Sequence, residues 1–196
     1  MRKTGRPLSF DRSVALDVAM DAFWRYGYEG ASVSILTTAM GITPPSLYTA
    51  FGDKQRLYLE ALDRYMHRPG LDLELLLDRS PTAFDAVKNM LTSASKQQTR
   101  PGQPRGCMLM SARVSTPAES SMEKDVIQLR KIVLKMIEKR VERGIQEGDV
   151  PDTVNSVDLA SFYVMVLQGM SVQARDGAGP KDLLKLANHS LLCWPK

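Results

Sequence analysis

From Phe10 onward the apolar positions recur every three or four residues, and no window alternates with the period of a strand. Ala15, Ala19, Ala22, Phe23 and Tyr26 share one face of a first helix, Phe10 to Tyr26, with Asp11, Asp17, Asp21 and Arg25 on the solvated side. Gly27 is placed to end it. Ser32 caps a second helix in which Val33, Leu36, Thr37 and Met40 form the inner face, and Gly41 closes it. Thr43 caps a third, with Pro44 at the first position, where a missing N–H costs nothing. Gly52 ends that helix after about two turns. Asp53 caps a fourth, Lys54 to His67, with Leu57, Ala61, Leu62 and Tyr65 inward. Helix, glycine turn and short second helix form the helix-turn-helix arrangement, whose second helix enters the DNA major groove.

Pro69-Gly70 marks a joint. Beyond it, Leu71 to Leu77 is apolar and helical, and Pro81 opens a helix from Thr82 to Lys96. Thr99 to Pro104 is a loop, and Gly106-Cys107-Met108-Leu109-Met110 opens a short apolar helix that ends before Pro117. The longest helix runs from Ala118 to Glu147, with Met122, Val126, Leu129, Val133, Met136, Ile137, Val141 and Ile145 as its inner stripe. Asn155 or Ser156 starts another that reaches Arg175. It is apolar nearly all round from Leu159 to Met170, as in a helix buried on more than one side. Gly177 to Pro180 breaks it, and Lys181 to Leu192 is the last. The pattern predicts an all-α protein of about nine helices: a helix-turn-helix domain in residues 1–54, a linking helix 54–68 and a second helical domain in 69–196.

Composition adds little to this. The 196 residues are 43% apolar and 24% charged, an ordinary globular balance. A net charge of +4 mildly favours a polyanionic partner. Residues 1–12 hold Arg2, Lys3, Arg6 and Arg12 against Asp11 alone. No apolar run follows Met1, so no signal peptide is expected. The longest continuous apolar run, Phe162 to Leu167, is far too short to span a bilayer. Two cysteines, Cys107 and Cys193, make no disulfide framework. A cytoplasmic protein with free thiols and no membrane partner is expected. His67 and His189 lie in no metal-ligand spacing. No nucleophile elbow, P-loop, dinucleotide fingerprint or HExxH is present, so no enzyme, metal or cofactor is expected. The competing class is a small all-α enzyme or small-molecule-binding protein that does not bind DNA.

Gly27-Tyr28, Ser32-Val33, Leu36-Thr37, Met40-Gly41-Ile42, Ser46-Leu47-Tyr48, Phe51, Gly52, Asp53-Lys54 and Leu57 occur in order and at fixed spacing. In these residues the chain resembles the tetracycline-repressor (TetR) family of bacterial transcriptional regulators. Arg105-Gly106-Cys107 and the run Gly169 to Gly177 resemble one branch of it. The resemblance implies a homodimer on double-stranded DNA, a C-terminal domain for ligand binding and dimerisation, and release of DNA when a small-molecule effector binds.

Phosphate contacts position a protein on DNA and base contacts specify the site. Tyr48 and Lys54 are the phosphate candidates, with Ser32 and Thr43 at helix N-termini that favour anions. Thr43, Pro44, Pro45, Ser46 and Thr49 are the base-reading candidates. The two prolines permit apolar contact alone, and no Arg is available on that helix for a bidentate guanine contact. Arg2, Lys3 and Arg6 are an arm for the minor groove or the phosphates.

On the ligand side, Cys107 follows Arg105, and a nearby cation favours a thiolate that senses oxidants or electrophiles. The plainer reading is a small buried hydrophobe. Met108, Met110, Met136, Met165 and Met170 suit an adaptable apolar pocket, or simply a core. Phe162, Val166, Met170, Leu184 and Leu191 are the dimer candidates. Two copies of the last two helices would form a four-helix bundle that sets two recognition helices about 34–36 Å apart on a palindromic operator.

Overall fold

The computed structural model describes residues 10–68, 72–112 and 121–196. Among the described residues there are nine helices and no strand: α1 (Arg12–Gly30), α2 (Val33–Met40), α3 (Pro44–Phe51), α4 (Lys54–Met66), α5 (Leu73–Arg79), α6 (Ala83–Gln97), α7 (Ser121–Glu147), α8 (Ser156–Arg175) and α9 (Pro180–Leu191). Arg2, Lys3 and Arg6, the Pro69-Gly70 joint and the expected start of the longest helix at Ala118 lie outside the described residues. No described helix is long and apolar enough to cross a membrane.

Local chemistry sets most boundaries. Asp11 Oδ1 accepts the N–H groups of Ser13 and Val14 at 2.8 and 3.1 Å and so caps α1. Thr82 and Asn155 cap α6 and α8 in the same way. Pro180, rather than Lys181, is the first residue of α9. α1 continues past Tyr26, but Gly27 has φ 71° and ψ 176°, so the regular helix stops there and one further turn follows.

One hydrophobic core runs through both halves of the chain. α1 packs along α4, α7 along α8, and α6 against α5 and α9. Tyr26, expected on the inner face of α1, is 54% exposed, whereas Trp24 is buried. The apolar period marks one face of α1. The second face is covered because residues from the C-terminal half pack onto Trp24, whose indole N–H donates to the Gly106 carbonyl at 3.1 Å.

The short helix expected at Gly106 is instead a pair of turns, closed by Ser111 N–H to Cys107 O and Ala112 N–H to Leu109 O at 3.0 and 3.2 Å. The guanidinium of Arg130 on α7 donates to the carbonyls of Leu109 at 3.2 Å, Met110 at 3.4 Å and Ala112. It thereby takes acceptors that a continuing helix would use. Gly106 has φ 78°, and a Cβ there would come within 2.8 Å of the Ser171 carbonyl oxygen. A side chain at this position would have to push α8 away.

Candidate nucleic-acid interface

The helix-turn-helix is assembled by short-range bonds and a small apolar centre. Ser32 Oγ accepts the Ile35 N–H at 3.2 Å. Gly41, left-handed at φ 66°, lets Ile42 N–H reach back to Thr37 O at 3.0 Å, which turns the chain into α3. Leu36, Leu47, Phe51 and Leu57, all buried, hold α2, α3 and α4 together. Arg12 fastens this unit to α1. It donates to Ala50 O at 3.1 Å and to Glu60 at 2.6 and 2.9 Å, with its guanidinium 4.4 Å from the Phe51 ring centre. Arg12 is therefore a structural residue, unlike the free cation that its place in the basic N-terminal stretch suggests.

The outer side of α3 carries Pro44, Pro45, Tyr48 and Thr49, all exposed. Ser46 is half-buried. Its Oγ lies 2.9 Å from Thr43 Oγ1, and Thr43 Oγ1 also accepts the Ser46 N–H at 3.4 Å. Thr49 Oγ1 donates to Pro45 O at 2.8 Å. Each hydroxyl thus has a partner on its own helix and keeps acceptor capacity for an outside group. With two prolines in the first turn and the Ser46 N–H engaged, the N-terminus of α3 has no N–H from these residues to spare for a phosphate. Thr43 caps the helix there.

Charge is supplied from beside α3. Lys54 opens α4, where a cation opposes the helix dipole. Its Nζ sits 4.3 Å from the ring centre of Tyr28, so the aromatic face offsets that cost. Tyr28 is itself wedged against Phe23 and Tyr58, with ring centres 6.4 and 5.2 Å away. Partial burial lowers the pKa of Lys54, with Glu29 acting to raise it. Burial likewise raises that of Tyr28. Arg56, exposed, lies across Gly52, its Cδ 2.9 Å from where a Cβ would be. This second cation beside Lys54 was missed in the sequence, where its place in the first turn of α4 was the available signal.

A family model described as bacterial regulatory proteins, tetR family, matches residues 15–61. Over its full length the chain is 30% identical to the HTH-type transcriptional repressor ComR of Escherichia coli (strain K12), of which it covers 94%. The chain belongs to the TetR family. It is 33% identical over 110 residues to the HTH-type transcriptional repressor BdcR of the same organism, spanning 56% of this chain and 55% of that protein. It is also similar to a solved structure of the TetR-family regulator CifR, a cysteine variant complexed with 26-base-pair double-strand operator DNA. The TM-score is 0.91 and the identity 40%, covering 97% of this chain and 100% of that one. As a TetR-family member the protein is a DNA-binding transcriptional regulator.

The C-terminal half of this TetR-family chain holds a cavity of about 330 Å³, bounded by α4, α5, α6, α7, α8 and the turns after Gly106. Cys107, Met110 and Met136 line it. Met108 and Met170 are buried in the core and do not. Met165 is 60% exposed on the outside of α8, because its place on the helix turns it away from the cavity. Cys107 Sγ accepts the Met110 N–H at 3.5 Å. The phenol of Tyr65 lies beside that thiol and its pKa is raised well above the usual range, first by burial and then by the thiol, against Arg68 and the Met108 N–H. Arg105 does not serve Cys107 as expected. Its Nε donates to Ala174 O at 2.6 Å and another N–H donates to Ala178 O, at the C-terminal end of α8, where a cation is favoured. A wider groove of about 940 Å³ between α5 and α7 carries mixed charge, part of it paired, as in Arg143 with Asp78 at 2.5 Å.

Of the dimer candidates, Phe162, Val166, Leu184 and Leu191 are partly exposed. Met170 is 2% exposed and lies in the hydrophobic core of its own chain.

Proposed function

We propose that this regulator represses transcription by binding, as a homodimer, to a palindromic operator in the cytoplasm, and that a small molecule entering the C-terminal cavity releases it. Residues 1–54 would bind DNA, helix 54–68 would link, and residues 69–196 would bind the effector and dimerise. The observation that carries this reading is a capped helix-turn-helix with an outward α3, flanked by Lys54 on its aromatic rest, above a separate apolar cavity. ComR and BdcR, both repressors, and CifR, complexed with operator DNA, support it. Tyr48, Lys54 and Ser32 would hold phosphates, and Thr43, Pro44, Pro45, Ser46 and Thr49 would face bases. The same support favours a non-enzymatic role.

The cavity and the DNA-binding half meet at Gly106. Its N–H donates to Gln98 O at 2.8 Å, and its carbonyl accepts from Trp24. Cys107 is the next residue, so a ligand or a thiol adduct there would strain both bonds. The direct test is a gel shift with DNA from upstream of the protein's own gene, across a salt series. Preference over random DNA of equal length, lost on adding a thiol-reactive compound to wild type but not to Cys107→Ser, is expected for the thiol route. Equal binding to random DNA would overturn the operator reading. Equal release of both variants would overturn the thiol route and leave the non-covalent one.

A further inference from the structure

The make-up of α3 also bears on which bases it can read, an inference that rests on taking α3 as the helix that faces the bases. Its eight residues, Pro44–Phe51, include no Arg, Lys, Asn, Gln, Asp or Glu. The strong side-chain contacts to guanine, adenine and cytosine use those residue types. Backbone donors are missing as well. Pro44 and Pro45 have no N–H, and the N–H groups of Ser46 and Leu47 go to Thr43, at 3.4 Å to its Oγ1 and 3.0 Å to its carbonyl. The hydroxyls are largely engaged. Thr49 Oγ1 donates to Pro45 O at 2.8 Å. Thr43 and Ser46 share one bond at 2.9 Å, which leaves that pair a single O–H to give outward.

What the first turn of α3 presents outward is carbon. Pro44 and Pro45 are adjacent and exposed, and their rings are fixed, so docking them orders little. The N-terminal residues of a recognition helix are those that meet base edges. In the major groove thymine alone carries a methyl group, and its adenine partner offers an N6 amino group that a hydroxyl oxygen of Thr43, Ser46 or Thr49 can accept. Guanine offers two acceptors, N7 and O6, against the one O–H of the Thr43–Ser46 pair. We propose that Pro44 and Pro45 determine the specificity of α3 by packing on thymine methyl groups, so that each operator half-site places T·A pairs under the first turn of that helix.

The test uses the full-length protein and two forms of the DNA fragment from upstream of its own gene, one with thymine and one with every thymine replaced by uracil. The replacement removes the methyl and keeps the pairing. Random fragments of equal length, made both ways, give the baseline. Wild type is expected to bind the uracil fragment about fourfold more weakly for each methyl lost, and so about fifteenfold when one is lost in each half-site. Its binding to the two random fragments should be the same. Both prolines are exposed and donate no bond, so Pro44→Ser/Pro45→Ser leaves the core and the Thr43 cap in place. In that variant the gap between the thymine and uracil fragments should close while binding to random DNA is kept. Wild-type protein that prefers both upstream fragments over random DNA equally would overturn the methyl reading and leave the operator reading standing. A gap that persists in Pro44→Ser/Pro45→Ser would remove the prolines as its cause. No preference of wild type for the thymine fragment over random DNA would overturn the operator reading and this inference with it.

Discussion

The indole N–H of Trp24 donates to the carbonyl of Gly106 at 3.1 Å, between residues 82 positions apart in the chain. Both partners are held from further sides. The Trp24 carbonyl accepts from Arg175 at 2.8 Å, and the ring meets Tyr65 edge-on at 5.0 Å with the Arg68 guanidinium 4.5 Å from its centre. This one residue therefore joins α1 to α4 and to the turn beside the cavity through its ring, and to α8 through its backbone carbonyl.

Trp24→Phe keeps an aromatic ring but removes the donor and part of the volume. A buried carbonyl without a partner costs about 1–3 kcal/mol, and the space left by the smaller ring adds to that. The urea midpoint should fall accordingly. A midpoint equal to that of wild type would show that the bond contributes nothing to the joining of the two halves.

At the DNA, Lys54→Ala should weaken specific and random binding about equally and make the log–log salt dependence shallower by about one unit. Tyr48→Phe should also weaken both, without changing the slope. Tyr28→Leu removes the aromatic rest but leaves the ammonium, so it should weaken binding less than Lys54→Ala does. If both Lys54→Ala and Tyr48→Phe keep wild-type affinity, neither residue positions the protein on phosphates.

The elements that were legible in the sequence are those whose bonds are local. Ser32, Gly41, Thr43 and Asp53 each act on backbone groups within five residues, so a short window contains the whole cause. What was not legible depends on distant partners. Nothing near Trp24 announces Gly106, and nothing near Cys107 shows that Arg105 is taken up by α8. The apolar stretch of α8 fails for another reason. A helix apolar on nearly all sides gives no phase, so Met165 and Met170 could not be assigned to outside and inside until neighbours fixed the rotation.

Alkali should unfold the protein in a definite window. Burial pushes the Tyr58 phenol, and that of Tyr163, up to about 12. A phenol whose pKa is higher folded than unfolded contributes stability in full below about pH 10, and that contribution is lost as the pH rises to about 12. For Tyr58 the loss is on the order of 2 kcal/mol. Tyr58→Phe, which cannot ionise, should show a shallower fall in denaturation midpoint between those pH values. An unchanged alkaline limb would mean that Tyr58 does not drive the transition.

The dimer can be tested where the surface is free. On α8, Met165 is 60% and Val172 50% exposed, seven residues apart and so on nearly one face after two turns. Between them lies Gly169, where a Cβ would meet nothing within 4 Å. Partly exposed Phe162 and Val166 flank them, and Leu184 and Leu191 repeat the seven-residue spacing on α9. Two such helices from each subunit match the needs of a four-helix bundle, with the glycine allowing close approach. A single recognition helix with no Arg or Lys makes few strong contacts, so two copies are needed to hold one operator. Met165→Glu or Val172→Glu would bury a charge in that bundle without disturbing the subunit core. Each should sediment as a monomer, keep the wild-type helical signal and lose operator binding. Phe162→Glu and Leu184→Glu should do the same with some loss of subunit stability, because both are partly buried. A Met165→Glu protein that remains a dimer would move the interface elsewhere. A wild-type monomer at micromolar concentration, bound tightly to one half-site, would remove the need for it.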